Sequence, residues 1–195
     1  GGQLVQLHCA ERGMNPVRAT NDVDVVVDIR TTPSMLETFT GLLFTMGFRP
    51  LTSGEGLQHR WCRGPAQFDV LIPEGVGARA RKRVGAGGAP TVSAPGTTQA
   101  LNRTETVTVN LAGRRGAVMR PNLIAALVGK AAARMEIPAD RASLRHCDDF
   151  VTLASLVSAR DFRETRLTKE DRQRLQRMEA QCQKDLSALG IDDAA

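Results

Sequence analysis

The chain has 195 residues and a net charge of +5, with 42% hydrophobic and 24% charged residues. This length and composition are ordinary for a globular protein with one full core and at most a small second lobe. No apolar run is long enough to cross a membrane and no secretory signal is visible, so we expect a cytoplasmic protein without a membrane partner. The positive charge favours a polyanionic partner, with nucleic acid first. Because aromatic residues make up only 4% of the chain, binding should rely on phosphate contacts rather than on stacked bases.

The cysteines and histidines show no metal-ligand spacing. The cysteines form no CxxC pair, and the chain has only three histidines, so no zinc pattern can be assembled. We interpret the cysteines as reduced thiols of a cytoplasmic protein. They are Cys9, Cys62, Cys147 and Cys182.

The chain begins with a predicted helix and a predicted strand. Gly1 and Gly2 precede an apolar-periodic segment, which predicts a helix that ends near Gly13. Because the chain opens inside this glycine pair, we expect a strand before it in a complete version of the protein. Residues 21–28 alternate valine with polar residues and predict the next strand.

A second helix and a hairpin follow. Thr32 is the predicted cap and Pro33 the first position of a helix that Gly47 ends. Residues 58–63 and 66–72 predict two strands joined by a tight turn. The buried stripe expected for the helix consists of Met35, Leu36, Phe39, Leu42, Leu43 and Met46.

The remaining chain changes from strands to helices. Residues 75–96 predict an irregular excursion with at most a short helix, and a second hairpin should turn at residues 113–116. Three helices are predicted after it, at residues 121–135, 140–159 and 168–189, the last opened by a capping box. The expected fold class is α/β (α+β), a mixed sheet with flanking helices and then a helical lobe. The expected domains are residues 1–119, catalytic, and 120–195, helical.

The strand at residues 21–28 carries the first candidate functional residues. Its valines alternate onto one face as core, and Asp22 and Asp24 point to the other face. Two carboxylates two residues apart lie about 6.6 Å apart along a strand, so they can converge on one Mg²⁺ or on two ions that share ligands. The alternative is an edge strand whose acidic wet face protects it from aggregation. Asp28 lies about 13 Å beyond Asp24, and we expect it to cap or pair rather than to bind metal.

A third acid, Asp69, lies within an apolar strand of the first hairpin. Together with the Asp22-Val23-Asp24 strand, the preceding glycine pair and helix resemble the nucleotidyltransferase superfamily that includes DNA polymerase β. More narrowly, the chain resembles the AbiEii and MenT toxins of bacterial toxin–antitoxin systems, with matching features over residues 1–159. The resemblance implies a polymerase β-like mixed sheet as the fold.

The same resemblance implies a two-metal site. Asp22 and Asp24 would bridge a pair of Mg²⁺ ions, and Asp69 would complete the ion next to the attacking oxygen. The amides of Gly1 and Gly2 at the start of a helix would receive the triphosphate of an NTP. The gap between the glycine pair and the first aspartate is longer than is usual in the superfamily.

Lys130 and Asp149 are candidates in the helical part. AbiEii-like proteins carry a lysine in the corresponding helix and an aspartate in the next helix, and these two residues fit those places. Lys130 would then reach a β- or γ-phosphate as a point charge. The alternatives are a lysine on the wet face of its helix and an ion pair of Asp149 with Arg145. Asp148 is adjacent and can exchange roles with Asp149, and Thr152 stands where the family often has a further aspartate.

Other polar residues offer further anion contacts. Arg18 and Thr20 precede the aspartate strand in parity with Asp22 and are candidate contacts to nucleotide phosphate, with a surface loop as the alternative. Residues 79–83 form a basic run that can bind an RNA backbone or a triphosphate. A solvated face or an acidic protein partner explains that run equally well.

The resemblance implies a function. It implies Mg²⁺-dependent transfer of nucleotides from an NTP to the 3′ end of tRNA, which would block translation, and a cognate antitoxin that silences the enzyme. One alternative is nucleotidyl transfer to a small molecule or to a protein hydroxyl. Another is a non-catalytic binding module on the same fold.

Overall fold

The structure is a computed structural model that describes residues 1–16, 18–135 and 141–188. They form two compact units, one of Gly1–Gln3 with Arg18–Asn102 and one of Leu4–Val17 with Arg103–Ala195. The predicted domain boundary after residue 119 lies within the second strand of the second hairpin, whereas the two units divide before that hairpin. The hairpin belongs to the second unit because, among the described residues, its strands pair only with each other.

The first unit is built on a five-stranded mixed sheet. Its elements are the first residues of α1 (Gly2–Glu11), β1 (Asp22–Val26), α2 (Met35–Thr45), β2 (Arg49–Leu51), β3 (Arg60–Arg63), β4 (Ala66–Pro73), α3 (Ala78–Arg81), β5 (Val92–Ala94) and α4 (Thr97–Leu101). The strand order is β1-β4-β3-β2, and β5 also pairs with β4. β1 and β5 run parallel to β4, and β3 runs antiparallel to β4 and to β2. The predicted mixed sheet with flanking helices is confirmed, and β5 is a strand within the segment predicted to be irregular.

Helix α2 covers one face of this sheet and forms the core of the first unit. Its buried residues Leu36 and Leu43 pack with Phe48, Trp61 and Val70. The polar Thr40 is buried between them, and its hydroxyl is satisfied by donating to the Leu36 carbonyl at 2.7 Å.

Two predictions about α2 are wrong. The helix begins at Met35 with Ser34 as its N-cap, so Thr32 is not the cap. Met35, Leu42 and Met46 were expected in the buried stripe but are exposed. The physical reason is that a helix on a sheet buries one narrow stripe, and that stripe is centred on Leu36, Thr40 and Leu43.

The second unit contains a hairpin and a group of helices. Its elements are the rest of α1, β6 (Thr104–Leu111), β7 (Arg114–Pro121), α5 (Leu123–Met135), α6 (Arg141–Leu156), α7 (Ala159–Glu164) and α8 (Lys169–Ala188). One cluster of buried residues joins α1, α5 and α6, and another joins α5, α6 and α8. The predicted helical C-terminal part is therefore confirmed.

In the second unit, some predicted ends of helices and strands are confirmed and others are wrong. The hairpin turns at Ala112 and Gly113, both with positive φ, so the turn predicted at residues 113–116 is wrong and β7 begins at Arg114. The helix predicted at residues 140–159 corresponds to α6, which ends at Leu156, and α7 is a separate short helix. The capping box at Thr168 is confirmed by reciprocal hydrogen bonds with Asp171. The predicted end of α8 at residue 189 lies outside the described residues.

No helix in the described part of the chain is both long and apolar enough to cross a membrane.

Candidate active site

Two rows of polar side chains cross the face of the first sheet that is opposite to the α2 core. The strand registers place Asp24, Asp69 and Arg60 side by side on β1, β4 and β3. A second row, two residues earlier on β1, consists of Asp22, Gln67 and Cys62. Since neighbouring strands lie about 4.8 Å apart, all three predicted metal ligands share one small surface.

Asp69 is held by an arginine that the sequence analysis did not select. The Arg60 guanidinium donates from Nε to Oδ1 and from Nη2 to Oδ2, both at 3.0 Å. Gln67 Nε2 lies 3.3 Å from both oxygens. The hydrogen bond with Asp69 raises the pKa of Arg60. The signal for Arg60 was in the sequence, because a tight turn at residues 64–65 puts residue 63 opposite 66 and hence 60 opposite 69.

Asp24 and Thr20 leave no room for a side chain at Gly1 or Gly2. The backbone nitrogen of Gly1 lies 3.0 Å from Asp24 Oδ2, and a Cβ at Gly1 would come within 1.7 Å of that oxygen. A Cβ at Gly2 would lie 2.7 Å from Thr20 Cγ2 and 3.1 Å from a terminal nitrogen of Arg18. The predicted residues Gly1, Gly2, Arg18, Thr20 and Asp24 are therefore neighbours.

The start of α1 is also held in place by its second residue, Gln3. Gln3 Nε2 donates to the Thr20 carbonyl at 2.7 Å. This hydrogen bond ties the first turn of the helix to the segment that leads into β1. The first-turn amides of α1, which carry the positive end of the helix dipole, are thereby held next to the carboxylate of Asp24.

The three carboxylates fit a hard divalent cation by chemistry and by position, but the site is not closed. Their oxygens do not all lie within 4.8 Å of one another, a spacing found among the described residues only for His8, Glu11 and Glu105. Asp69 is bound by Arg60, and Asp24 lies beside the backbone nitrogen of Gly1. Oxygen donors from three aspartates are the ligands that Mg²⁺ prefers, so the donor set fits the predicted metal.

Lys130 and Asp149 form a buried ion pair in the second unit. Lys130 Nζ donates to Asp149 Oδ2 at 2.5 Å, and both side chains are buried. The alternative of a lysine on a wet face is wrong, because α5 is buried nearly all round. Asp149 is the buried acid, whereas Asp148 is exposed. The catalytic roles of Lys130 and Asp149 stay predictions, and such a pair is weak evidence for stability and some evidence for function.

A second charged cluster surrounds the buried Arg120 in the second unit. Arg120 binds Glu105 at 3.0 Å and also binds Glu11. The neighbouring His8 is buried and hydrogen-bonded to the Pro121 carbonyl at 3.1 Å. Burial, with the charge of Arg120, lowers the pKa of His8 to about 4. His8, Glu11 and Glu105 line a cavity of about 380 Å³. Because both glutamates neutralise Arg120, we interpret the group as an ion network around one buried arginine.

Two further predicted residues and segments can be placed. Both oxygens of Asp28 bind Arg30, whose hydrogen bonds lower the pKa of Asp28, so the expectation that Asp28 pairs is confirmed. In the basic run, Arg81 donates to the Val76 carbonyl and Arg83 to the Ile29 carbonyl. The run therefore has a structural part, while Arg79 is exposed.

No protein-family model matches the chain, and no curated protein sequence matches it. A solved structure, described as an antigenic nucleotidyltransferase-like protein from Paracoccidioides brasiliensis, is similar at 19% identity. The match covers 96% of this chain and 80% of that chain, with a TM-score of 0.49. Similarity of this degree establishes neither a shared fold nor a shared activity.

Proposed function

We propose that the chain is a Mg²⁺-dependent nucleotidyltransferase of the AbiEii/MenT toxin type, which transfers nucleotides from an NTP to the 3′ end of tRNA. The observation that carries the proposal is the register of the first sheet. It puts Asp24 beside Asp69 on adjacent parallel strands, with Asp22 two residues earlier on the same face. An accidental wet face would not need three acids in neighbouring positions, one of them almost fully buried.

Asp22, Asp24 and Asp69 would hold the metal. When bound, magnesium supplies charge neutralisation at the transferred phosphate and lowers the pKa of the attacking hydroxyl. The carboxylates differ in freedom, which suits different tasks. Asp69 is fixed by three hydrogen-bond donors, whereas the Asp24 side chain is 30% exposed.

The glycine pair would bind the triphosphate. With no side chain at Gly1 or Gly2, the backbone approaches Asp24 closely, and phosphate oxygens can reach the amides of the first helical turn. Arg18, next to Gly2, adds a cation at this place. Nucleotide phosphate would thus be bound by backbone amides and one guanidinium on one side of the carboxylates.

The polyanionic acceptor is supported by charge and by the family resemblance. The net charge of +5 favours association with RNA through its phosphates. A cytoplasmic location would give access to tRNA and NTP. By the same resemblance, a cognate antitoxin would bind the enzyme and block it.

The test is transfer of label to RNA. The protein is incubated with Mg²⁺, total tRNA and each labelled NTP in turn, and the products are separated into RNA, protein and small molecules. Asp24→Asn should lower the rate by at least about 100-fold, because several kcal/mol of transition-state stabilisation are lost. The matched control is Asp28→Asn, a carboxylate of the same segment that pairs with Arg30 and should leave the rate within about threefold.

Each outcome has a distinct meaning. Label on tRNA that depends on Asp24 supports the proposal. Label on protein or on a small molecule would show that tRNA is not the acceptor, while nucleotidyl transfer would remain the reaction. No label with any acceptor would contradict the enzyme and leave a binding module on this fold.

A further inference from the structure

Arg60 on β3 is the cross-strand partner of Asp69 on β4, and Asp69 is a predicted metal ligand. Arg60 and a metal would therefore compete for one carboxylate. We propose that Arg60 holds Asp69 while no metal is bound there and moves to the triphosphate of the NTP when Asp69 becomes a metal ligand. Arg60 would then act as a nucleotide-binding residue whose position depends on metal. This inference rests on the proposed function.

The geometry of the pair makes the two states exclusive. The guanidinium occupies both oxygens of Asp69 through two bonds of 3.0 Å, and Gln67 Nε2 lies 3.3 Å from each oxygen. A divalent cation on the same oxygens would face the positive charge of Arg60 at close range, where like charges repel. Arg60 must therefore leave for Asp69 to bind metal.

Arg60 is the partner that is free to move. The Asp69 side chain is only 12% exposed, whereas that of Arg60 is 43% exposed. The acid is fixed on the central strand β4, and the guanidinium lies at the solvent end of a long flexible stem. Because a half-exposed ion pair contributes little to stability, releasing Arg60 costs little.

The destination of Arg60 follows from the charges on this face. The two cross-strand rows hold three carboxylates, with Arg60 in the row of Asp24 and Asp69 and Arg49 at the β2 end of the other row. Arg60 is the basic side chain that contacts a predicted metal ligand. An arriving metal–triphosphate brings negative charge to the place where Arg60 loses its partner. A planar guanidinium matches two phosphate oxygens as well as it matches a carboxylate. Arg60 thus exchanges one bidentate partner for another without leaving the face.

The experiment measures two affinities that should change in opposite directions. The probes are Mn²⁺ alone, followed by electron paramagnetic resonance, and the manganese complex of inorganic tripolyphosphate, followed by calorimetry. Arg60→Met should bind Mn²⁺ about threefold to tenfold more tightly, because no guanidinium competes for Asp69. It should bind the tripolyphosphate complex about tenfold more weakly, because the phosphate loses its bidentate partner.

Two further variants complete the design. Arg60→Lys keeps the charge but cannot form the fork, so both changes should be smaller. Arg63→Met removes one positive charge from the same strand on the opposite face, where Arg63 donates to the Met46 carbonyl, and should change neither affinity. If Arg60→Met does not fold, Arg60→Gln takes its place.

Equal or weaker Mn²⁺ binding by Arg60→Met, or unchanged tripolyphosphate binding, would overturn the inference. If the unaltered protein binds metal and transfers nucleotides while Arg60 variants behave like it, only the role of Arg60 fails. If the unaltered protein binds no Mn²⁺ at millimolar concentration, the proposed function fails together with the inference.

Discussion

At the scale of single residues, the two units treat buried charge in different ways. Asp69 shares its charge with the half-exposed Arg60 and with Gln67. Asp149 has the buried Lys130 instead, at 2.5 Å. Removing one member of a pair therefore has different costs, because a partner left behind can be solvated only where water can reach it.

Lys130→Met should lower the free energy of unfolding by about 3–5 kcal/mol, because it leaves Asp149 charged and buried. Adding Asp149→Leu should restore most of the loss, since no charge then remains in the core. Urea unfolding of the two variants and the unaltered chain measures both effects. A double variant as unstable as the single one would show that the loss comes from packing and not from the unpaired carboxylate.

The same double variant tests the predicted roles of Lys130 and Asp149 in the reaction together. If Lys130 contacts the triphosphate, the folded double variant should show a raised KM for NTP while its affinity for tRNA stays unchanged. The measurement is labelled-NTP transfer at varied NTP, with tRNA binding followed by filter retention. Equal losses for both substrates would place Lys130 on the RNA.

The buried His8 should make stability depend on pH. Burial, with the charge of Arg120, lowers its pKa to about 4, whereas an unfolded histidine titrates near 6.5. Between these values the unfolded chain binds a proton that the native state does not, so the free energy of unfolding decreases as the pH falls from 6.5 to 4. Below pH 4 both states are protonated and this contribution no longer changes.

His8→Gln should reduce that dependence, because the glutamine amide can still donate to the Pro121 carbonyl but does not titrate. Urea unfolding at pH 7.0 and 4.5 should show a smaller difference for the variant than for the unaltered chain. His146, whose pKa burial also lowers to about 4, contributes with the same sign to both chains and cancels in the comparison. Equal differences would mean that His8 does not titrate as the structure indicates.

At the scale of elements, short-range signals predicted most of the structure. The capping box at Thr168, the tight turn at residues 64–65 and the helix end at Gly47 all depend on neighbours within a few residues. The predicted bounds agree at these three places, whereas the helix start predicted from Thr32 and Pro33 is wrong because α2 begins at Met35. The hairpin turn at Ala112 was also missed, because alanine in the left-handed region is uncommon and offers no turn signal.

That turn allows a direct test of element stability. Ala112 has a φ of 48° and Gly113 a φ of 75°, and asparagine tolerates the first position better than alanine. Ala112→Asn should therefore raise the free energy of unfolding by about 0.5–1 kcal/mol. The matched control is Ala117→Asn within β7, where asparagine is disfavoured in a strand and the stability should not rise. An equal rise for both would show that the turn is not responsible.

At the scale of the whole molecule, the candidate site was predictable only in part. Asp22 and Asp24 follow from the period of a strand, but their neighbour Asp69 depends on β1 pairing with β4, which follows it by about forty residues. No local pattern determines such a long-range parallel pairing. The prediction of which α2 residues are buried was wrong for the same reason. Met35, Leu42 and Met46 were assigned to the buried face by helix period alone, whereas the neighbouring elements decide which face is covered.

The overall charge should appear in the response of RNA binding to salt. With a net charge of +5, binding to tRNA should weaken steadily as salt rises, because each phosphate contact releases a counterion. The charge alone does not say which cations make contact. The first unit, which holds the three aspartates, exposes Arg79 on α3 and Lys82 directly after it. The second unit exposes Arg114 and Arg115 next to the hairpin turn.

Replacing two basic residues in each unit in turn distinguishes a specific RNA contact from attraction by the overall positive charge. Arg79→Gln with Lys82→Gln should weaken tRNA binding about tenfold and reduce the salt slope by about one to two, because we expect the acceptor to be held by the unit that carries the aspartates. Arg114→Gln with Arg115→Gln removes the same charge and should weaken binding by less than about threefold. Filter binding at 50 to 300 mM salt measures both slopes. If the two double variants lose the same affinity, the net charge attracts RNA and α3 is no contact; if the hairpin variant loses more, the RNA is held by the second unit instead.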